Sequence, residues 1–238
     1  MARTVNIGTQ DFKDIIENNY FYVDKTNFIK EWWENGDTVT LITRPRRFGK
    51  TLTMSMLNYF FSVQYAGRSD LFEGLSIWKE EKYRKLQGTY PVIFLSFADV
   101  KEGSFEDARE GIIQELLDVY NDYSFLLNSD KISDNEKKFF SKVCDDMSNV
   151  TAARSLKRLS GLLYKYYGKK PVILLDEYDT PMQEAYLQGY WKEMTEFTRG
   201  LFNATFKSNR STNDRNNQGG QRIYFFRFKK FKGGHSCF

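Results

Sequence analysis

The stretch Val39-Thr40-Leu41-Ile42-Thr43-Arg44-Pro45-Arg46-Arg47-Phe48-Gly49-Lys50-Thr51-Leu52 constrains this chain more than any other. A short β-branched and aliphatic run stops at a turn. The turn ends in Gly-Lys-Thr, and an apolar-periodic segment follows at once. That order of strand, loop and helix is the order of a phosphate-binding loop, in which backbone N–H groups and a helix N-terminus cradle phosphates. The pattern G-x-x-x-x-G-K-[ST] places Gly where this chain has Arg44, so the loop must turn differently, with Pro45 fixing part of it. The candidate nucleotide-binding residues are Arg47, Phe48, Gly49, Lys50, Thr51 and Leu52. Arg44, Arg46 and Arg47 read either as charge-assisted contacts to phosphate or an acidic partner, or as solvated loop charges.

A second signature lies far along the chain, in Pro171-Val172-Ile173-Leu174-Leu175-Asp176-Glu177-Tyr178-Asp179. Four aliphatic residues lead into two carboxylates, as in a buried parallel strand ending at a ligand edge. Phosphoanhydride cleavage needs a phosphate cradle, a metal and a group that orients water. Lys50 supplies a point charge to the outer phosphates. Thr51 and Asp176 are the candidate Mg²⁺ ligands, and Glu177, on the other side of an extended chain, is the candidate general base. Asp179 is a further acid that could orient Glu177 or water, or cap the next element. Either signature alone is common by chance; both, each on a buried strand in the expected order, point to a bound nucleotide with Mg²⁺.

The remaining periodicity predicts an α/β fold, a P-loop sandwich with a mainly parallel sheet flanked by helices. Strands are expected over 38–43, 91–97 and 171–176, and helices over 28–33, 50–63, 104–123, 133–144, 151–166 and 190–206. Residues 1–37 form a lead-in, expected to pack at the sheet edge. The sharper alternative puts Asp24, Lys25 or the neighbouring aromatics near a nucleotide base. Cys144 reads as a small core residue, and His235 and Cys237 as accidental, so no metal site is built on them. Two cysteines in 238 residues suggest no disulfide framework. No apolar run is long enough for a membrane span, and the N-terminus lacks an apolar signal core, so a cytoplasmic location is expected.

The overall charge of +4 is unevenly placed. Residues 209–238 hold seven Arg or Lys against Asp214 alone, which is +6, leaving −2 for residues 1–208. The main body therefore lacks a nucleic-acid-like surface.

Together, Ile7-Gly8-x-x-Asp11-Phe12, Tyr22-Val23-Asp24-Lys25-Thr26, the loop from Leu41 to Leu52 and Leu174-Leu175-Asp176-Glu177-Tyr178-Asp179 resemble the AAA-ATPase-like family. These are predicted bacterial ATPases whose longer members often carry a C-terminal PD-(D/E)XK nuclease-like domain. The resemblance covers residues 1 to about 208. It implies that Arg44 is the family's own loop variant, that Lys50 and Thr51 bind nucleotide, and that Asp176 and Glu177 are the metal and water-activating acids. It leaves a protein partner, a second copy and nucleic acid all open as partners. Beyond Ser208 the family continues with a strand carrying a Met-Thr-Gly-Ile-Thr-Arg-like segment, and this chain does not. Residues 213–223 can be back-translated so that a one-base shift reads Met-Thr-Gly-Ile-Thr-Arg-Val-Ala-Lys-Glu. The expectation is that about residues 209–238 are out of frame and the sheet lacks its C-terminal strand. The rival is a real basic, aromatic tail able to stack on nucleic acid or touch an anionic membrane. The function expected is Mg²⁺-dependent ATP binding and hydrolysis; the alternatives are a non-catalytic nucleotide-dependent interaction module and nucleic-acid binding through the tail.

Overall fold

The computed structural model describes residues 4–6, 8–37, 39–43, 48–210 and 222–227. Its elements run α1 (Phe12–Glu17), α2 (Asn27–Asn35), β1 (Val39–Thr43), α3 (Lys50–Phe61), α4 (Glu81–Arg84), β2 (Val92–Ser96), α5 (Phe105–Asp122), α6 (Asp134–Phe140), α7 (Asn149–Tyr167), β3 (Val172–Asp176), α8 (Thr180–Gln188), α9 (Trp191–Arg210) and β4 (Arg222–Arg227). Three short 3-10 turns, Val63–Tyr65, Ser69–Phe72 and Ser76–Lys79, connect α3 to α4. The four strands form one parallel sheet in the order β1-β4-β3-β2.

The sheet is covered on both faces because its strands are apolar at successive positions, not alternate ones. Ile93, Leu95, Ile173 and Leu175 point into a core built with α5, α7, α8 and α9. Val92, Val172 and Leu174 point the other way, into a core built with α1, α2, α3 and the 63–84 segment. All five residues of β3 are buried. Helix α3 contributes Met54, Met56, Leu57, Phe60 and Phe61, all fully buried; burial of each Phe or Leu stabilises by about 1.5–3 kcal/mol. Side-chain parity then decides what the strand ends present. Asp176 follows Val172 and Leu174 in phase, so it emerges on the α3 face.

The lead-in packs on α3 rather than against a sheet edge. Asp11 caps α1 through a bond from the Asp14 N–H, and its other carboxylate oxygen accepts from the Ser55 and Tyr59 hydroxyls of α3 at 3.1 and 3.3 Å. The Phe12 N–H donates to Ser55 Oγ at 2.9 Å, while the Phe12 ring is fully buried. Where α3 hands the chain towards β2, Gly88 sits at φ +66°, and a Cβ there would lie 2.3 Å from Ala66 Cα, so only glycine fits.

The expected gap after β3 is not present. Arg222–Arg227 fills it as β4, pairing Phe225 with Leu41 of β1 on one side and with Leu175 of β3 on the other. The segment Arg-Ile-Tyr-Phe-Phe-Arg is rich in residues that favour strands, and the slot it occupies would otherwise leave two ladder edges open. Helix α9 also continues through Ser208 to Arg210, across the boundary expected from sequence. The remainder of the 209–238 tail, His235 and Cys237 included, lies outside the described residues.

Ending the chain after Arg210 is expected to lower stability by on the order of 5 kcal/mol, because β1 loses its ladder partner and β3 loses one of two. Thermal melts with light scattering on the full and shortened chains measure this; equal melting temperatures without aggregation would show that β4 contributes nothing.

Candidate functional site

Strand register brings the two sequence signatures to one edge. Leu41, Phe225 and Leu175 lie at one level of the sheet. Thr43 therefore leaves β1 at about the height where Glu177 follows β3, with one strand between them, roughly 10 Å apart. Both face the carboxyl ends of the parallel strands, where α/β sheets collect ligands.

The loop re-enters the described chain at Phe48, which is exposed, and Gly49, whose φ of +71° is the left-handed turn that starts α3. The Gly49 carbonyl accepts from the Thr53 N–H at 2.9 Å and the Thr53 hydroxyl at 2.8 Å, which fixes the first turn. The first N–H groups of a helix have no partner within it, and the helix dipole adds partial positive charge there. Here those groups belong to Lys50, Thr51 and Leu52, and the first turn holds no acid. An anion fits this end of α3. Lys50 is only 6 % exposed, so its charge is held at the site and not in solvent. The Leu52 side chain instead packs against the α3-side core, leaving its backbone N–H as the group available to a ligand. Arg47, with Arg44 and Arg46, lies outside the described residues.

Asp176 meets this helix end from below. It is 0 % exposed, and neither carboxylate oxygen has a hydrogen-bond partner. Burial pushes its carboxyl above the usual carboxylate range. The Thr51 hydroxyl and the Lys50 charge pull it part of the way back. Thr51 thus lies close enough to act on Asp176 without making a bond of good geometry. A buried carboxylate with orphaned oxygens beside a hydroxyl is a donor set suited to a hard cation. Among the described residues no group of three or more His, Cys, Asp and Glu side chains could hold a metal by itself. A Mg²⁺ ion carried on a nucleotide needs fewer protein ligands, since phosphates and water complete its shell.

Glu177 is not in the extended conformation that sequence parity assumes. Its φ is +48°, in the left-handed region that a residue with a Cβ disfavours. The turn swings the chain directly into α8: the Thr180 N–H donates to the Glu177 carbonyl at 2.9 Å and the Thr180 hydroxyl to Glu177 Oε2 at 3.4 Å. Burial raises the Glu177 carboxyl, and the neighbouring Asp176 charge raises it further; Lys50 and Lys101 act in the opposite sense. Asp179 stands at the start of α8, where it accepts from the Gln183 side chain at 2.8 Å. That is a side-chain contact one turn along the helix, and the Asp179 side chain makes no cap bond to the first N–H groups of α8.

Lys50, Thr51, Asp176 and Glu177 are therefore brought together. Two further cations join this group: Lys101, which the sequence reading did not single out, and Lys25, which its sharper alternative placed near a nucleotide base. Lys101 follows β2 on the same sheet edge, and the rule that ligands gather at strand carboxyl ends was the available signal. Lys25 reaches the loop itself: its Nζ donates to the Phe48 carbonyl at 3.0 Å.

Among the described residues no helix is long and apolar enough to cross a membrane. A curated relative, the "Uncharacterized protein in vnfD 5'region" of Azotobacter chroococcum mcd 1, is 33 % identical over 179 residues, covering 74 % of this chain and 29 % of the relative. The chain thus spans under a third of that protein's length. No solved structure matches it. The family described as "Predicted AAA-ATPase", AAA-ATPase_like, matches residues 6–215, past the Ser208 limit expected from sequence and across both signatures, and the chain belongs to that family.

Proposed function

We propose that this chain binds ATP with Mg²⁺ at the end of α3 and hydrolyses it. The observation that carries the reading is the fully buried, unpartnered Asp176 carboxylate set beside Thr51 and Lys50 at a helix N-terminus. Family membership supports nucleotide use by this chain. In this reading the N–H groups of the first turn of α3 take phosphate oxygens, and Lys50 sets its charge against the outer phosphates. Thr51 and Asp176 would hold Mg²⁺, which when bound neutralises charge on the phosphates. Glu177 accepts a proton from the attacking water; its raised pKa makes it a stronger base than an ordinary surface glutamate.

Equilibrium titration with a fluorescent ATP analogue, with and without Mg²⁺, tests the binding step, and phosphate release tests turnover. The parent is expected to bind with a Kd of about 1–100 μM in Mg²⁺, and Lys50→Ala to bind at least about tenfold more weakly. A parent with no measurable affinity at about 1 mM would sink the reading. Binding without turnover would leave a nucleotide-dependent interaction module in place of an enzyme. The out-of-frame origin of residues 209–238 is a separate proposal, and the gene sequence decides it: a shifted frame that does not encode the Met-Thr-Gly-Ile-Thr-Arg-like segment removes it.

A further inference from the structure

The Tyr22–Thr26 turn is built with unusual care for a segment that precedes the first strand. Asp24 Oδ1 accepts from the Thr26 N–H at 2.8 Å and from the Thr26 hydroxyl at 2.6 Å, and its Oδ2 accepts from the Ser76 N–H at 2.7 Å. Thr26 is fully buried and accepts from the Ile77 N–H at 3.1 Å. Tyr22 donates to Met56 Sδ of α3 at 3.3 Å and accepts from the Lys25 N–H at 3.4 Å. The turn is thereby fixed to α3 and to the 76–77 segment at once. Every polar group of Asp24 and Thr26 named here is occupied in holding it. Lys25 is the member of the motif that points elsewhere.

Its ammonium lies on the phosphate loop. Besides the bond to the Phe48 carbonyl, Nζ sits 3.0 Å from where a Cβ on Gly49 would be. Among the described residues Lys25 forms no ion pair, and Asp24 is turned to Thr26 and Ser76. A lysine head has three donors, and the Phe48 carbonyl uses one. This places a second cation at the positive end of the α3 dipole, close to buried Lys50, where like charges and the dipole repel it. A bound anion over Gly49 reverses the sign of each of these interactions.

We propose that Lys25 is a second phosphate-contacting lysine of this site, delivered from the lead-in, which holds the Phe48–Gly49 turn through one N–H and offers the others to the nucleotide's phosphates. The inference rests on the nucleotide-binding reading above. It gives the lead-in a role in ligand binding by charge, at the phosphates and not at the base.

Titrations of fluorescent ATP and ADP analogues on the full chain, alongside thermal melts without nucleotide, test it. Lys25→Met is expected to weaken both nucleotides about tenfold or more, to leave the nucleotide-free melting temperature unchanged or raised, and to flatten the salt dependence of binding. Lys25→Arg is expected to recover part of the affinity, since it restores charge and donors. A merely structural lysine would instead lower the nucleotide-free melting temperature and would not follow charge. Affinity within about twofold of the parent in Lys25→Met, or a lowered melting temperature that Lys25→Arg does not restore, overturns the proposal. If Lys50→Ala loses binding while Lys25→Met keeps it, the site stands and only this role for Lys25 falls. If the parent binds no nucleotide, both fall together.

Discussion

Replacing Asp176 with Asn is expected to raise the melting temperature of the nucleotide-free protein while ending its Mg²⁺-dependent nucleotide binding. The two effects have one cause. Asp176 is fully buried and its oxygens have no hydrogen-bond partner, so the fold holds a carboxylate where its charge is disfavoured. Burial raises its pKa, and the Thr51 hydroxyl and Lys50 charge do not restore the ordinary value. A carboxyl whose folded pKa lies above its unfolded one opposes folding when ionised. The penalty is absent below the unfolded pKa and develops as pH rises through the folded pKa. At neutral pH a neutral isostere removes it. The gain is about 1 kcal/mol or more, a rise of about 2–4 °C for a chain of this size. The difference between Asp176→Asn and parent should shrink as the melt is repeated at falling pH. With ATP and Mg²⁺ the order reverses, because only the parent gains the stability that ligand binding confers. A variant that melts lower than the parent at every pH would make Asp176 a structural group, and one that keeps Mg²⁺-dependent binding would remove it from the cation site.

The pair of signatures was legible because each is a short-range pattern. An aliphatic run before Gly-Lys-Thr, and another before Asp-Glu, specify a strand and what its end carries, and the parallel sheet does the rest. Even the face taken by Asp176 follows from counting residues along β3. What was not legible depends on tertiary contact or on a single torsion. Nothing in Leu175-Asp176-Glu177-Tyr178 marks Glu177 for a left-handed backbone; that is imposed by the entry into α8, which carries few strong apolar repeats of its own. The mixed aromatic and charged stretch from Leu71 to Lys85 does read as a loop with a short helix, which is α4, but the 3-10 turns around it are too short for a period to register. The bond between Lys25 and Phe48 spans 23 residues of sequence and depends on how the lead-in docks on α3. For β4 the strand-forming residues were visible, but a basic segment outside the family pattern gave no reason to insert it between β1 and β3.

Glu177 offers the second large effect, since geometry and ionisation there can be separated by two substitutions. Glu177→Gln keeps the side-chain shape and removes the proton acceptor. It is expected to leave ATP binding close to the parent's and to reduce turnover by about 10²–10⁴-fold. Glu177→Gly also removes the acceptor, but it relaxes a backbone held at φ +48°, so it should abolish turnover and stabilise the chain by about 0.5–1 kcal/mol. Equal stability in the Gln and Gly variants would show that the turn carries no strain. The pH profile gives a sharper reading. A general base works deprotonated, and burial together with Asp176 raises the Glu177 pKa, so turnover should climb with pH through a value above that of an ordinary glutamate. The Lys101 charge lowers that pKa. Lys101→Met removes this influence and should move the rising limb to higher pH without changing the plateau, because Lys101 acts on the ionisation of Glu177 and not on its position. If the limb stays where it was, or if the plateau falls instead, then Glu177 is not the group whose deprotonation limits the reaction.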